Sequence, residues 1–353
     1  VARAHALDAQ VQHHARSYAA YWRLLWDRWS ADDVRDCEAP MTVAPAQASR
    51  QGASLFWRDA FGRLLGGDYE GSRRAAGDGA DLARRRGDAF SLLVAQFYRV
   101  WAALLGGAWG EAERTCDESL RDASRNEHRQ WQILFRAMRA WLLREVGDPE
   151  AAVDLARQGL ADARTAQFAF GELLAGLQLG LSCLECRRFG EARNELEPLD
   201  RRLSHDRLLM DWIWRMPLDL GLADLALADG RTDDARRQAR TVCESAARYG
   251  ERTWLALGSM TLAETLSLAG AGEESRTALR TACDLAGSGH VPVAARRVWA
   301  RASRLASTQA DAMSAGLFQS ELERLDARLV QSFTADSPLG RRLAGSNGVR
   351  RSG

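Results

Sequence analysis

Residues 127–164 read EHRQWQILFRAMRAWLLREVGDPEAAVDLARQGLADAR, and this stretch decides the fold. Glu127 to Val146 predicts one helix, Gly147-Asp148 a turn, and Pro149 to Arg164 a second helix. Gly147 suits the left-handed backbone that commonly ends a helix. Asp148 can accept hydrogen bonds from the free N–H groups of the following helix. Pro149 fits the first helical position, where its missing N–H costs nothing.

The same hairpin recurs in both directions along the chain. Turn residues stand at Gly67, Gly107, Gly147, Arg187, Gly230 and Gly270, each followed five residues later by Ser72, Ala112, Ala152, Ala192, Ala235 and Ser275. The steps are 40, 40, 40, 43 and 40 residues. A fixed period of this size marks a repeat solenoid, whose units must stack to bury their apolar faces. One first-helix column reads Trp57, Phe97, Ala137, Leu177, Leu220 and Met260, and another reads Ala60, Val100, Ala140, Gly180, Ala223 and Ala263. A bulky column beside a small one lets helices approach to about 8–10 Å while still filling space. In the fifth unit the second helix carries Ala235, Ala239, Val242, Cys243 and Ala246, a helical stripe rather than strand alternation.

These readings predict an all-α chain, a right-handed α-α superhelix of about seven helical hairpins with a period near 40. A last unit is expected from Val291 to Ala306 and Asp311 to Phe333. Residues 1–30 predict a helical segment rich in aromatics (Tyr18, Tyr21, Trp22, Trp26, Trp29). A linker with Pro40 and Pro45 follows over 31–51, the solenoid spans 52–335, and 336–353 reads as a disordered tail.

Composition narrows the function. The chain has 353 residues, 48 basic against 47 acidic, so no net field draws nucleic acid or anionic lipid. All the basic residues are Arg, in keeping with a GC-rich genome. Without Lys there is no Schiff-base chemistry and no GxxxxGK phosphate loop. Six scattered Cys point to a reduced, cytoplasmic setting. No apolar run is long enough to span a membrane, since Gln96 and Arg99 break the best one. No signal-peptide pattern opens the chain. It begins with Val rather than Met, which fits either a piece of a longer chain or a non-standard start codon.

A small residue in the first helix, matched twelve residues later by Ala beyond the turn, is similar to the tetratricopeptide repeat. Ala140 with Ala152, Gly180 with Ala192 and Ala223 with Ala235 carry the likeness. The period is longer than that family's, and its full aromatic and Pro signature is absent. The chain more closely resembles the long-repeat solenoids of bacterial multidomain regulators: maltose-regulator-like and large LuxR-type ATP-binding regulators, and ATPases linked to class III cyclases. Segments 110–114 (GEAER), 226–231 (ALADGR) and 333–339 (FTADSPL) carry that look. The resemblance implies a sensor or protein-binding arm that restrains or assembles an NTPase. Neither a nucleotide-binding loop nor a helix-turn-helix is found in this sequence.

Candidate chemistry is sparse. Cys183 and Cys186 form a CxxC without a second pair; core packing is favoured over a metal or redox role. His5, His13, His14, His128, His205 and His290 have no partners at ligand spacing, and no GxSxG elbow occurs. Trp131, Trp214 and Trp254 share one column, while Trp101 and Trp141 share a later one. They read either as wedges between units or as an aromatic groove for a peptide or flat ligand. The 43-residue step lies beside Trp212, Trp214, Arg215 and Pro217. Pro deep inside a helix costs about 3 kcal/mol, so a late start or kink is expected there, leaving Trp212 or Trp214 partly free. Trp131, Trp212, Trp214, Arg215 and Trp254 are therefore the expected partner-binding residues.

The leading expectation is a non-enzymatic protein-interaction or ligand-sensing module of a bacterial signalling or transcriptional regulator, within a longer ATPase-containing chain. A free-standing scaffold and an α-helical enzyme with an unrecognised pocket are the alternatives. A protein or peptide partner is expected, with a small-molecule effector as an option. No cofactor, metal, direct nucleic-acid contact or membrane contact is predicted.

Overall fold

The computed structural model describes residues 2–26, 30–37 and 52–350. Seventeen helices and no strand lie among them. A leading pair, α1 (Ala2–Trp26) and α2 (Ala31–Cys37), precedes fourteen helices that form seven hairpins. The first helices of the hairpins are α3 (Gly52–Gly66), α5 (Ala89–Leu105), α7 (Arg129–Glu145), α9 (Ala169–Glu185), α11 (Asp211–Ala228), α13 (Arg252–Leu268) and α15 (Pro292–Thr308). Their partners are α4 (Tyr69–Arg86), α6 (Trp109–Arg125), α8 (Pro149–Thr165), α10 (Phe189–His205), α12 (Thr232–Tyr249), α14 (Gly272–Gly287) and α16 (Ala312–Gln331). A closing helix, α17 (Pro338–Arg350), ends the chain. First helices of successive hairpins pack side by side and make the inner layer of a right-handed superhelix.

The turns explain why the helices match in length. A left-handed residue stops the chain at Gly67, Gly87, Gly107, Glu127, Gly147, Gln167 and Arg187, every 20 residues. The same cadence resumes after a step of 23 at Met210, continuing through Gly230, Gly250 and Gly270. Each stop lets the next N–H reach back to the last helical turn, as Asp148 N does to Leu143 O at 2.8 Å. Asp148 Oδ1 then accepts from Ala151 N at 3.3 Å, with Pro149 opening α8. A stop inside and between hairpins alike leaves most helices 17 residues long, roughly 25 Å.

The two columns are core. Phe97, Ala137, Leu177, Leu220 and Met260 are buried, as are Val100, Ala140, Ala223 and Ala263. Within a hairpin the small residues meet directly. Where Ser fills the second-helix position, its hydroxyl donates to the facing carbonyl: Ser72 to Ala60 at 2.7 Å and Ser275 to Ala263 at 2.8 Å.

The superhelix is wound tightly enough that distant hairpins touch. Trp101 of α5 stacks on Trp214 of α11, centroids 4.7 Å apart. Arg297 of α15 reaches Glu145 of α7 at 2.8 Å. Tyr69, opening α4, lies 3.3 Å from the Thr253 hydroxyl of α13. Ser332 Oγ accepts from Gly110 N at 3.2 Å, so the C-terminal segment seats on the start of α6. A Cβ on Gly110 would lie 2.1 Å from the Ser332 carbonyl oxygen, so only glycine allows this approach.

Three sequence expectations need correction. The region read as a linker contains α2, whose Val34 and Cys37 are buried and whose Asp33 accepts from Arg23 Nε at 3.0 Å. Ser30 Oγ accepts from Asp33 N, and the Val34–Cys37 spacing supplies one apolar edge. Pro40, Pro45 and Trp29 lie outside the described residues. The tail read as disordered forms α17, because Leu339 and Leu343, four apart, are buried and Ser337 Oγ accepts from Gly340 N at 3.0 Å. Ser337 also donates to Glu113 at 2.6 Å, and Arg342 pairs with Asp148 at 2.9 Å. Helix α11 neither starts late nor breaks: it runs from Asp211 through Pro217 to Ala228. The three extra residues fall in the preceding turn, whose Met210 N donates to Leu25 O at 2.8 Å and docks α1.

Two substitutions test this architecture by thermal or urea denaturation. Leu177→Ala, at a fully buried position, should lower stability by about 2–5 kcal/mol. Arg187→Gly, at an exposed left-handed residue with φ 58°, should raise it by about 1 kcal/mol. If Leu177→Ala is neutral, the column is not core.

Candidate functional site

The bore of the superhelix changes character along its length. One column of the first helices, at 101, 141, 181, 224, 264 and 304, starts as Trp101, Trp141 and Leu181 and then becomes Asp224, Glu264 and Arg304. In the aromatic part, Trp214 fills the middle, stacked on Trp101 and edge-on to Trp141 at 6.4 Å. In the charged part the bore opens into a cavity of about 450 Å³, walled mainly by α7, α9, α11, α13 and α15.

Ion pairs organise the wall. Arg301 of α15 donates to Glu264 of α13 at 3.0 Å and to Asp224 of α11 at 3.1 Å, bridging three hairpins. Burial opposes its charge, yet these two carboxylates hold it well above its ordinary pKa. Burial raises the Asp224 carboxyl, with Arg301 opposing. Deeper in, Glu145 of α7 accepts from Arg297 at 2.8 and 3.1 Å and from Trp141 Nε1 at 3.1 Å. Burial alone would raise the Glu145 carboxyl; Arg297 and Arg144 beside it hold it below its ordinary value. Arg296 donates to the Glu145 backbone carbonyl at 3.0 Å and to Asp326 of α16 at 2.7 Å.

Arg296 leaves its buried Nη2 unpartnered, and Arg144 is satisfied no better. Its side chain is 3% exposed, its Nη1 donates to the neutral Gln178 at 2.8 Å, and its Nε has no partner. Its nearest carboxylate, Glu145 at 3.5 Å, is already shared with Arg297. Burial, then the nearby Arg297, pulls its guanidinium down to about 10. At the mouth, Glu185 is exposed and pairs with Arg297 at 3.2 Å, while Arg304 is exposed with no ion partner among the described residues.

None of the five residues expected to bind a partner lines this cavity. Trp214 is 1% exposed, held in the bore with its indole N–H unpartnered. Trp212 donates to Leu24 O at 2.8 Å and packs on Tyr249, so α1 covers it. Arg215 lies between Asp200 at 2.5 Å and Asp219 at 2.7 Å. Trp131 is half-buried against Phe97 and Phe135, and Trp254 is half-buried beside Glu251. Cys183 is buried and Cys186 half-buried, with burial pushing both thiols up to about 11. Among the described residues no cluster of three or more His, Cys, Asp or Glu is arranged to hold a metal. The cavity had a sequence signal: the column that holds Trp101 and Trp141 turns charged after the 43-residue step.

Comparison with known proteins bears on the fold. No family model matches the chain, and no curated protein matches it. Among solved structures, a Rap protein complexed with competence and sporulation factor aligns at TM-score 0.60 with 14% identity, covering 86% of this chain and 81% of the other. The apo form of RapI aligns at TM-score 0.56 with 11% identity, covering 78% of this chain and 97% of the other. At such identities the likeness shows a shared fold. The chain is a tetratricopeptide-like α-solenoid, and no helix among its described residues is long and apolar enough to cross a membrane.

One half-buried glutamate outside the cavity links solenoid closure to pH. Glu251 caps α13 by accepting from Trp254 N at 3.3 Å, and Tyr69 OH donates to it at 3.5 Å. Burial pushes its carboxyl up to about 7. An unfolded Glu titrates near 4.3, so the folded state binds the proton more tightly. Stability from this group is full below about pH 4.3 and is lost as pH rises to about 7. Glu251→Gln should flatten that part of the stability profile; an unchanged profile would place the titration elsewhere.

Proposed function

We propose that the protein is a non-enzymatic binding module of regulatory type, and that its charged cavity receives a peptide or a segment of a partner protein. One observation carries the reading. The bore holds an ion-paired cavity built by successive repeats, and its lining includes no Ser, Thr, Cys, His or Tyr that could act as a nucleophile. Each carboxylate in the wall is tied to an arginine, an arrangement suited to holding polar groups rather than transferring protons. The Rap protein solved with competence and sporulation factor supports a binding role for this architecture.

The likeness of segments 110–114, 226–231 and 333–339 to bacterial regulator solenoids supports a finer version. In it, the module is cytoplasmic and acts beside an ATP-binding segment of the same chain. An NTPase-coding segment in the same reading frame would support that version, and a free-standing gene would favour the scaffold alternative. Half-exposed Trp131 and Trp254 are proposed as secondary partner contacts outside the cavity.

The test is affinity capture from the host with the unaltered protein, Arg301→Ala and Trp254→Ala. A specific partner should be recovered by the unaltered protein and reduced at least about tenfold by Arg301→Ala, the loss expected when a desolvated charge pair is broken. Equal recovery by a folded Arg301→Ala protein would contradict a cavity-bound partner. Loss only with Trp254→Ala would move the contact to the aromatic column.

A further inference from the structure

Helix α1 turns one side to the solenoid and leaves the other uncovered. Ser17, Ala20, Tyr21, Leu24 and Leu25 are buried. Tyr18, Trp22 and Trp26 stand on the opposite side, 50%, 43% and 43% exposed, and exposed Ala15 and Ala19 continue their line. On a helix these five positions fall within about 100° of one another, a single apolar stripe. Of the seven large hydrophobic side chains exposed among the described residues, three lie on it. A contiguous exposed patch of this kind marks an interaction surface more often than scattered single residues do.

The stripe is held in place. Tyr18 and buried Tyr21 each meet Trp22 edge-on at 6.1 Å, and the Arg58 guanidinium lies 5.4 Å over the Tyr18 ring. The Leu24 and Leu25 carbonyls accept from Trp212 Nε1 and Met210 N, each at 2.8 Å. Helix α1 therefore cannot roll to cover its own rings without breaking these bonds.

Size is ordered along the stripe, with Ala15 and Ala19 at one end and Trp22 and Trp26 at the other. Inside the protein, hairpins stack by setting a bulky column on a small one. The stripe meets the same rule with a copy of itself running antiparallel. Centred between residues 20 and 21, that pairing sets Trp22 on Ala19 and Trp26 on Ala15 of the second copy, and two-fold symmetry makes each contact twice. A parallel pairing would set Trp on Trp and hold the alanines apart. Charge does not oppose the contact: Arg23 beside the stripe is paired with Asp33 at 2.5 Å, and exposed Arg16 stands at its edge, where it stays solvated.

We propose that α1 joins two copies of this chain, paired antiparallel through Ala15, Ala19, Trp22 and Trp26. The surface is separate from the cavity, so the inference does not depend on what the cavity holds. A covered aromatic side chain buries about 150–250 Å², so three half-exposed rings offer roughly 200–350 Å² per copy. Two copies supply roughly 400–700 Å² from these rings, short of the ~1,200 Å² at which stable interfaces begin. The dimer is therefore reversible and dissociates in the micromolar range.

Sedimentation velocity on the full chain, from nanomolar to high micromolar concentration, tests this. The unaltered protein should pass from monomer to dimer. Trp22→Ala and Ala19→Trp should each weaken the dimer at least tenfold, the first by emptying a contact at its centre and the second by setting bulk on bulk. Mixed in equal amounts the two variants should pair again, because the bulk added by Ala19→Trp fits the space left by Trp22→Ala. Should Ala19→Trp fail to fold by circular dichroism, Ala15→Trp with Trp26→Ala makes the same exchange at the other contact. A monomer at every concentration would overturn the proposal, and so would a dimer that neither variant weakens. Weakening without recovery in the mixture would overturn the antiparallel register. Monomers that bind phosphatidylcholine vesicles, and lose that binding with Trp22→Ala, would overturn the pairing and give the stripe to a lipid surface.

Discussion

Everything in this molecule depends on a left-handed backbone residue that halts the chain about every 20 residues. That stop fixes helix length, and equal lengths let hairpins stack in register, bulky against small. Glycine supplies it at Gly67, Gly107 and Gly147, where it carries no steric cost. Glu127, Gln167, Arg187 and Met210 adopt it without that advantage, which shows that packing on either side imposes the turn. The stack then closes on itself, and the closure makes a site possible. Side chains separated by more than a hundred residues in sequence face one another across the bore, as Arg297 and Glu145 do.

The bore divides its labour by polarity. Its aromatic part is filled by Trp101, Trp141 and Trp214, and there the protein binds only itself. Its charged part cannot fill in the same way. Arginine and carboxylate groups need partners at hydrogen-bond distance, and the resulting network holds the walls apart around a cavity. Both parts join separate hairpins: the aromatic stack ties α5 to α11, and Arg301 ties α15 to α11 and α13. The N-terminal helix and the C-terminal segment brace this arrangement from outside. One does so through Leu24 and Leu25 carbonyls at the turn before α11, the other through Ser332 and Ser337 on α6.

Much of the fold was legible because its signal is periodic. The Gly147-Asp148-Pro149 turn and the paired small residues behave in the structure as their chemistry suggests. Half of the turns were missed, because Gly87 and Gly250 fall between hairpins and Glu127, Gln167 and Met210 announce no left-handed bend by residue type. Short helices at the ends were missed for a related reason. Helices α2 and α17 are amphipathic only over one or two turns, and their apolar edges gain meaning from the solenoid they pack on. The exposure of Trp214 was misread in a more instructive way. Large aromatics near the 43-residue step suggested a surface, but Trp214 faces inward, where a stacked indole stabilises more than an exposed one. The charged continuation of that column was visible in Asp224, Glu264 and Arg304, yet along one chain such residues look like a solvated helix face. Only superhelical closure turns them inward.

Closure of the superhelix stands on contact across the bore, and a double-mutant cycle on Trp101 and Trp214 measures it most directly. Unfolding free energies of Trp101→Leu, Trp214→Leu and the double variant should reveal a coupling of about 0.5–1.5 kcal/mol, the range for a stacked aromatic pair. Additive effects within about 0.3 kcal/mol would mean that the two indoles do not meet, and that the superhelix is open between α5 and α11.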